Sequence, residues 1–547
     1  MTSNWLAGTS NLFFSDMKRD DRTNLWVFRE ARTVRPFDKF VLKTLVAAGI
    51  IGVLLLADWW FRAEHIGHPV LFFLLSAAFW WSVLRLVIIW IGLLKIQKPE
   101  PPPPPLPGLR VAIFTTSSPG EPAEMFEKTL AACARISYPH TTYLLDDTRD
   151  PRFREIAERH GAVWLEIVGV PGAKAGKINE ALRRTDEEFI LVLDPDHIPF
   201  PNFLDQTLGY FQDGKIGFVQ VCQAYYNQYR SFTAAGAAEQ TYTFYGPTQM
   251  SLHGLGSAVA IGANCTFRRS ALESIGGHGI GLAEDLITSI RLHAAGWKSV
   301  YNPVVVSRGL VPEDLGSFCK QQMKWARGLF EVAFSEVPRL WRGLSNWQKL
   351  SYSTISTYYM VGVTMLIFLL IPFVFFATGA LPAQMHIVEF LQNVALVLVV
   401  DVAIYMFIQR WLCHPATEWG LHWRGMILKF ACTPVFVLGF VLSLVNADVP
   451  YIPTAKKAVT GYFTPFARPM VLHVVLFLGT VIAVLAYRAL FMPSDELVFT
   501  AERTWGMIAF AAIAFFMTVG GIFAALEARR LSVEDPWETA PDNLPTK

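Results

Sequence analysis

Apolar residues run almost unbroken from Phe40 to Trp59 and from Val70 to Leu94. Each run supplies the roughly 20 residues needed to span the hydrocarbon of a bilayer. The pattern then changes: between residues 96 and 350, short apolar stretches alternate with amphipathic ones. Long runs return at Tyr352–Ala377, Ile387–Ile408, Ile427–Val445, Met470–Leu490 and Thr504–Leu526. Lys18, Arg19, Arg22, Arg29, Arg32, Arg35 and Lys39 place the N-terminal segment on the cytoplasmic side, and two crossings return the chain there at Lys95. A helix at 427–445 that lies along the cytoplasmic face, or re-enters it, keeps Lys456, Lys457, Arg468, Arg529 and Arg530 inside. It leaves the sparse loop with Asp495, Glu496 and Glu502 outside. Pro434 and the polar Cys432–Thr433 also weaken a straight span. The pattern predicts six crossings, one interfacial helix and both termini in the cytoplasm.

Within the insert, Arg110–Thr115, Thr142–Leu145, Ala162–Val168, Phe189–Leu193 and Gly217–Cys222 read as strands. Glu121–Ile136, Pro151–His160, Ala175–Thr185 and Phe203–Phe211 have helical spacing. This alternation predicts a mainly parallel sheet with helices on both faces. Pro99, Pro101–Pro105 and Pro107 form a stiff polyproline II spacer before it. The expected organisation is a cytosolic segment (1–39), two transmembrane helices (40–95), the linker (96–108), a cytosolic α/β domain with interface helices (109–350), a second membrane region (351–526) and a cytosolic tail (527–547).

Composition agrees. With 52% hydrophobic and 17% charged residues and a mean hydropathy of +0.34, the chain lacks the charge to coat several soluble domains. A net charge of +2 excludes strong general attraction to nucleic acid. The six cysteines show no CxxC or His-paired spacing, so buried thiols in a reducing compartment are expected rather than a zinc site or disulfide framework. No cleavable signal peptide is expected at the N-terminus.

Acidic residues close two of the predicted strands: Asp146-Asp147 in YLLDDTRD, and Asp194-Pro-Asp196-His197 in ILVLDPDHIP. In such sheets ligands bind beyond the carboxyl ends of the strands. Carboxylates one residue apart can present oxygens to one hard cation, which can bridge the phosphates of a nucleotide. A lone D-x-D also marks ordinary turns.

The same insert carries LDDTRD, the KAGKINEAL run from Lys174, VLDPDH, FVQVCQAYYN, IGANCTFRRSAL, LAEDLITSIRLHAAGWKSVYNP and QQMKWARG, in that order. Over roughly residues 40–490 the chain resembles the processive family 2 glycosyltransferases, and most closely the cellulose-synthase-like branch. The resemblance implies a GT-A domain inserted in a transmembrane bundle of a bacterial inner membrane. It also implies an inverting reaction that extends a polysaccharide from a UDP-sugar and feeds the polymer through a membrane channel. Glucose from UDP-glucose and a β-glucan product are the leading expectation. A β-1,3- or mixed-linkage glucan, or an amino-sugar polymer, is the alternative; a lipid-acceptor transferase and a solute transporter are remoter.

By the same resemblance, Asp147 contacts the nucleoside, Lys174 lies near the diphosphate, and Asp194 and Asp196 hold Mg2+ or Mn2+. Asp285, with Glu284 beside it, is the general base. Gln321, Lys324 and Trp325 match the Q-x-x-R-W motif at the channel mouth, where they meet acceptor and donor. Thr454 and Lys456, in the 447–468 region, match a gating loop that closes over nucleotide. The implied partners are the UDP-sugar, the growing polysaccharide, the bilayer and accessory export subunits, with no nucleic acid.

The chemistry asks for these residue types independently. A sugar hydroxyl needs a carboxylate to take its proton, an indole can stack on a pyranose, and lysines offset charge on a leaving diphosphate. Three positions depart from the family pattern: Ala283 replaces Thr, Lys324 replaces an Arg and so loses a planar fork, and Lys177 replaces an Asn. No PilZ domain is expected after the last span. Finally, Arg85 and Asp401 lie at similar depth in two predicted spans and are expected to pair.

Overall fold

The structure, a computed structural model, describes residues 24–415, 417–447, 449, 454–457, 463–491, 501–527 and 535–541. Lys18, Arg19, Arg22, Arg529, Arg530, the acidic loop at 495–496 and residues 448, 450–453 and 458–462 of the 447–468 region therefore lie outside the described residues.

The insert folds into a seven-stranded mixed sheet. In chain order its strands are β1 (Val111–Thr116), β2 (Thr141–Asp146), β3 (Val163–Glu166), β4 (Phe189–Leu193), β5 (Ile216–Val221), β6 (Cys265–Arg268) and β7 (Lys298–Asn302). Their order across the sheet is β7-β5-β6-β4-β1-β2-β3. Strands β1 to β4 are parallel, as are β5 and β7, whereas β6 runs antiparallel to both of its neighbours. The predicted strands β1 to β5 form. Strands β6 and β7 had no counterpart in the expected pattern, because CTFR and KSVYN are too short and mixed to stand out.

Side-chain alternation explains the layering. Val111 and Ile113 face one way, into a core with Met125, Phe126 and Phe153 of helices Ala123–Cys133 and Pro151–Arg159. Ala112 and Phe114 face the other way, against Ile178 and Ala181 of helix Ala173–Arg184. A small sheet places Ser307–Gly309 between Ile198–Pro199 and Ala224–Tyr225, just beyond the end of β4.

One expectation for the insert is corrected. Phe203–Phe211 is not a continuous helix but two 3-10 turns, Leu204–Gln206 and Leu208–Gln212. The cause is the proline-rich linker, which is docked on the domain here: a Cβ on Gly209 would lie 1.8 Å from Pro103 O. Tyr210 Oη donates to Glu100 O at 2.7 Å and Gln212 Nε2 donates to Pro104 O at 3.0 Å. The spacer is thus part of the domain's surface.

Among the described residues, four helices are long and apolar enough to cross a membrane: Pro36–Trp60, Pro69–Leu93, Tyr358–Thr378 and Ile387–Trp411. Leu54, Phe73 and Val399 point outward from them, as a lipid environment would require. Helices Trp423–Ala431 and Thr433–Leu444 meet at a 48° bend, where Cys432 precedes Thr433-Pro434. Helices Phe463–Phe491 and Ala501–Glu527 follow, each with a shorter described apolar stretch. The third span begins at Tyr358 rather than Tyr352, because Asn346–Ser356 is a separate helix capped by the Ser345 hydroxyl.

That break also corrects the expected Arg85–Asp401 pair. Helix Asn346–Ser356 ends there and leaves carbonyls without intrahelical partners. Arg85 donates to Thr354 O at 2.9 Å and to Thr357 Oγ1 at 3.1 Å. Asp401 instead accepts from Trp90 Nε1 at 3.2 Å. All six cysteines are buried free thiols.

Candidate functional site

Loops at the carboxyl ends of β1, β2 and β4 converge with the start of helix Ala173–Arg184. That helix begins from Gly172, whose φ of +91° is open to glycine without strain. Its first turn presents Lys174 and Lys177, three residues apart and therefore on one face. Gly176 lets the helix start pack this tightly, since a Cβ there would lie 2.0 Å from Pro171 O.

Lys174 is buried, paired with Asp194 and donating to Gly262 O. Burial alone would lower its pKa, but the charges of Asp194 and Glu284 outweigh that and raise it, so the ammonium is firmly held. Gly262 is also the link to the second half of the site. A Cβ at this position would lie 3.5 Å from Asp285 Oδ2 and 3.9 Å from Glu284 Oε1. The expected diphosphate lysine and the expected base therefore flank one glycine.

Asp196 is buried. It accepts from Leu310 N at 3.3 Å, lies 3.1 Å from His197 Nδ1 and pairs with Lys456 Nζ at 3.0 Å. Burial would raise its pKa, yet Lys456 and His197 together hold it far below the ordinary carboxylate range. Asp194, Asp196 and His197 each offer a ligand atom within 4.8 Å of the others. His197 Nε2 is buried with no hydrogen-bond partner among the described residues, and its ring fits only because position 309 is glycine: a Cβ there would lie 2.3 Å away. Two carboxylates and an imidazole form a donor set that suits a divalent cation.

Glu284 and Asp285 open helix Glu284–Ala294, where Asp285 Oδ1 accepts from Leu286 N at 2.7 Å. Burial, then the negative charge of Glu284, pushes the Asp285 carboxyl up to about 7. Lys324 reaches the same region from helix Leu315–Glu331. Burial lowers its pKa, partly offset by the charges of Glu284 and Asp194. Trp325, next along that helix, packs against the core of the membrane helices. Gln321 lies half-buried about one turn earlier.

At the end of β2 the two aspartates separate in character. Asp146 is 1% exposed. It accepts from Ser117 Oγ at 2.5 Å, Thr148 N at 2.9 Å, Thr148 Oγ1 at 2.8 Å and Trp164 Nε1 at 3.0 Å. Asp147 is half-exposed and lies 4.0 Å from Lys177 Nζ.

The sequence reading gave Lys177 only as a departure from the family pattern and assigned Glu121 no role. Lys177 donates to Ser117 O and, at 3.0 Å, to Ser118 Oγ, which ties the first loop to Asp147. Its three-residue offset from Lys174 was the available signal. Glu121 accepts from Ser118 N at 2.8 Å, and burial pushes its carboxyl up to about 7 despite the opposing charge of Lys456. In sequence it is only the first residue of the helical segment Glu121–Ile136. Thr454, half-buried, stands two residues before Lys456 in the described part of the gating-loop-like segment.

Comparison with known proteins agrees with this arrangement. Residues 109–328 match the family described as "Glycosyltransferase like family 2", and residues 273–428 match "Cellulose synthase". The cellulose synthase catalytic subunit [UDP-forming] of Komagataeibacter sucrofermentans is 34% identical over 245 residues, covering 43% of this chain and 32% of that protein. The corresponding subunit of Xanthomonas axonopodis pv. citri is 30% identical over 256 residues, covering 45% and 35%. The chain thus spans about a third of the length of these relatives. Among solved structures it is similar to a mannosyltransferase from Pyrobaculum calidifontis in complex with GDP-Man and Mn2+. That likeness has 18% identity and a TM-score of 0.47, covering 69% of this chain and 100% of the other. The chain is a homologue of the family 2 glycosyltransferases and, within them, of cellulose-synthase-like catalytic subunits.

Proposed function

We propose that the protein is a membrane-embedded, processive, inverting glycosyltransferase. In this reading a GT-A domain transfers glucose from UDP-glucose to a growing β-glucan, which passes into the membrane region as it lengthens. The observation that carries it is the placement of Lys174 and the Asp285 carboxylate on either side of Gly262, with Asp194 and Asp196 adjoining.

Donor binding falls to the loops after β1, β2 and β4, with Asp147 toward the nucleoside and Lys174 toward the diphosphate. Asp194, Asp196 and His197 would hold a divalent cation, which neutralises charge on the diphosphate when bound. Asp285 takes the proton of the acceptor hydroxyl as the new C1–O bond forms and the bond to UDP breaks on the opposite face. Its raised pKa suits a base working near neutral pH, and Glu284 sustains that value. Lys174 and Lys324 offset the charge that builds on UDP. Trp325, one residue from Lys324 and seated on the membrane-helix core, is suited to stacking the acceptor sugar where the domain meets the membrane. Lys324, a point charge where the family pattern has a fork, favours some latitude in donor or linkage.

Purified protein incubated with Mg2+ and UDP-glucose, UDP-N-acetylglucosamine or UDP-glucuronate tests this. UDP release with UDP-glucose and a product cut by linkage-specific glucanases is expected. Release with a different donor alone would replace the sugar. Absence of both UDP release and UDP binding would refute the assignment.

A further inference from the structure

Residues 535–541 return from the end of the last described membrane helix to the α/β domain. Pro536–Thr539 forms a 3-10 turn. Its Trp537 is 3% exposed and packs in the same core as Met125, Phe126 and Phe153. Lys128 Nζ donates to Ala540 O at 3.5 Å, which adds a second point of attachment. A short segment that buries an indole in the core beside the site loops is anchored by the apolar surface that ring removes from water.

The anchored turn holds one residue of another segment. Lys457 Nζ pairs with Asp535 Oδ1 at 2.5 Å and lies 4.8 Å from the centre of the Trp537 ring. Lys457 is the neighbour of Lys456, whose ammonium sits 3.0 Å from Asp196 Oδ2. Adjacent Cα atoms are about 3.8 Å apart, so fixing Lys457 confines Lys456 to the edge of the candidate cation site. Nothing in the sequence links residues 535–537 to 456–457; the fold alone brings them together.

We infer that Asp535 and Trp537 form a clasp that positions the Thr454–Lys457 segment over the nucleotide site, making them positioning residues for donor binding. The inference rests on the reading of Asp194, Asp196 and Lys174 as that site. With the clasp closed, Lys456 stays within reach of both Asp196 and the diphosphate of an incoming nucleotide. It thereby lowers the entropic cost of recruiting a cationic group to the phosphates. Because Lys456 and a metal ion compete for the same Asp196 carboxylate, the clasp has opposite effects on two ligands. It strengthens binding of UDP with metal, and it weakens binding of metal alone.

The test uses the full-length protein in detergent or nanodiscs, with UDP affinity measured by calorimetry in saturating Mn2+ and Mn2+ affinity measured without nucleotide by electron paramagnetic resonance. Asp535→Ala is expected to weaken UDP binding about fivefold, the scale of a partly exposed ion pair. Trp537→Ala is expected to weaken it about tenfold through the added loss of the ring contact, and Trp537→Phe to restore most of it. In both alanine variants Mn2+ alone should bind as well as in the wild type or better. The donor KM should rise while kcat changes less than twofold. A merely structural defect would weaken both ligands together. If Trp537→Ala does not fold, the reciprocal exchange decides: Asp535→Lys or Lys457→Asp alone should weaken UDP binding, and the two combined should recover it. Unchanged UDP affinity in Asp535→Ala and Asp535→Lys would overturn the clasp. Failure of the wild type to bind UDP, or an Asp196→Ala variant that binds UDP as before, would overturn the site reading and the clasp with it.

Discussion

The ends of β2 and β4 look alike in sequence, each an apolar strand closing on two aspartates, yet the protein treats them differently. Asp146 is enclosed by four donors from Ser117, Thr148 and Trp164, none of them a formal cation. Such a carboxylate is fully satisfied and holds loops in place. Asp194 and Asp196 meet two lysines, Lys174 and Lys456, which approach from distant parts of the chain. Carboxylates neutralised by lysine side chains can exchange those partners for a metal or a phosphate-bearing ligand. What surrounds an acidic pair, more than its spacing, separates a structural turn from a binding site.

The largest effect that sharpens this contrast lies across Gly262 from Lys174. Asp285→Asn should lower transfer about a thousandfold, within the range of general-base catalysis, and leave the Kd for UDP within about twofold. A turnover near wild type would remove Asp285 as the base. Next, Asp196→Ala should weaken UDP binding in Mn2+ about a hundredfold, as measured by calorimetry. Unchanged affinity would put β4 on the same footing as β2.

The pH profile gives a finer probe. A carboxylate can take a proton only when ionised, and burial, with the charge of Glu284, pushes the Asp285 carboxyl up to about 7. The value of kcat/KM should therefore fall tenfold per unit as pH drops below about 7, and level off above it. Glu284→Gln removes the neighbouring negative charge, so the limb should move to lower pH. A limb that stays in place would mean that another group titrates. The smallest functional effect is expected at β2. Asp146→Asn should lower stability by about 2 kcal/mol, the scale for disrupting a buried, charge-assisted network, seen as a reduced Tm. UDP affinity of the folded fraction should change little; a loss comparable to that of Asp196→Ala would erase the contrast.

Much of this was legible in the chain. Strands β1 to β5 are apolar runs bounded by turn residues, so periodicity locates them to within a residue or two. The acidic loops follow because such strands end where ligands bind. Strands β6 and β7 were not legible: Cys265–Arg268 and Lys298–Asn302 gain their pairing from β4 and β5, a tertiary effect that a four- or five-residue pattern cannot announce. Glu121 stood only as the start of a predicted helix and Lys177 only as a departure from the family pattern, and it is the convergence of three loops that brings them to the site. Depth along two helices suggested that Arg85 and Asp401 would pair. The helix break before Tyr358 supplied Arg85 with nearer acceptors instead.

The most direct test of the proposed activity is synthesis by the reconstituted protein. Proteoliposomes with the α/β domain facing the bath would receive Mg2+ and radiolabelled UDP-glucose. Label should accumulate in a high-molecular-weight glucan, protected within the vesicles from added glucanase until detergent is added, with one UDP released per glucose incorporated. Transfer of a single glucose to lipid, or UDP binding without polymer under any donor, would contradict a processive synthase.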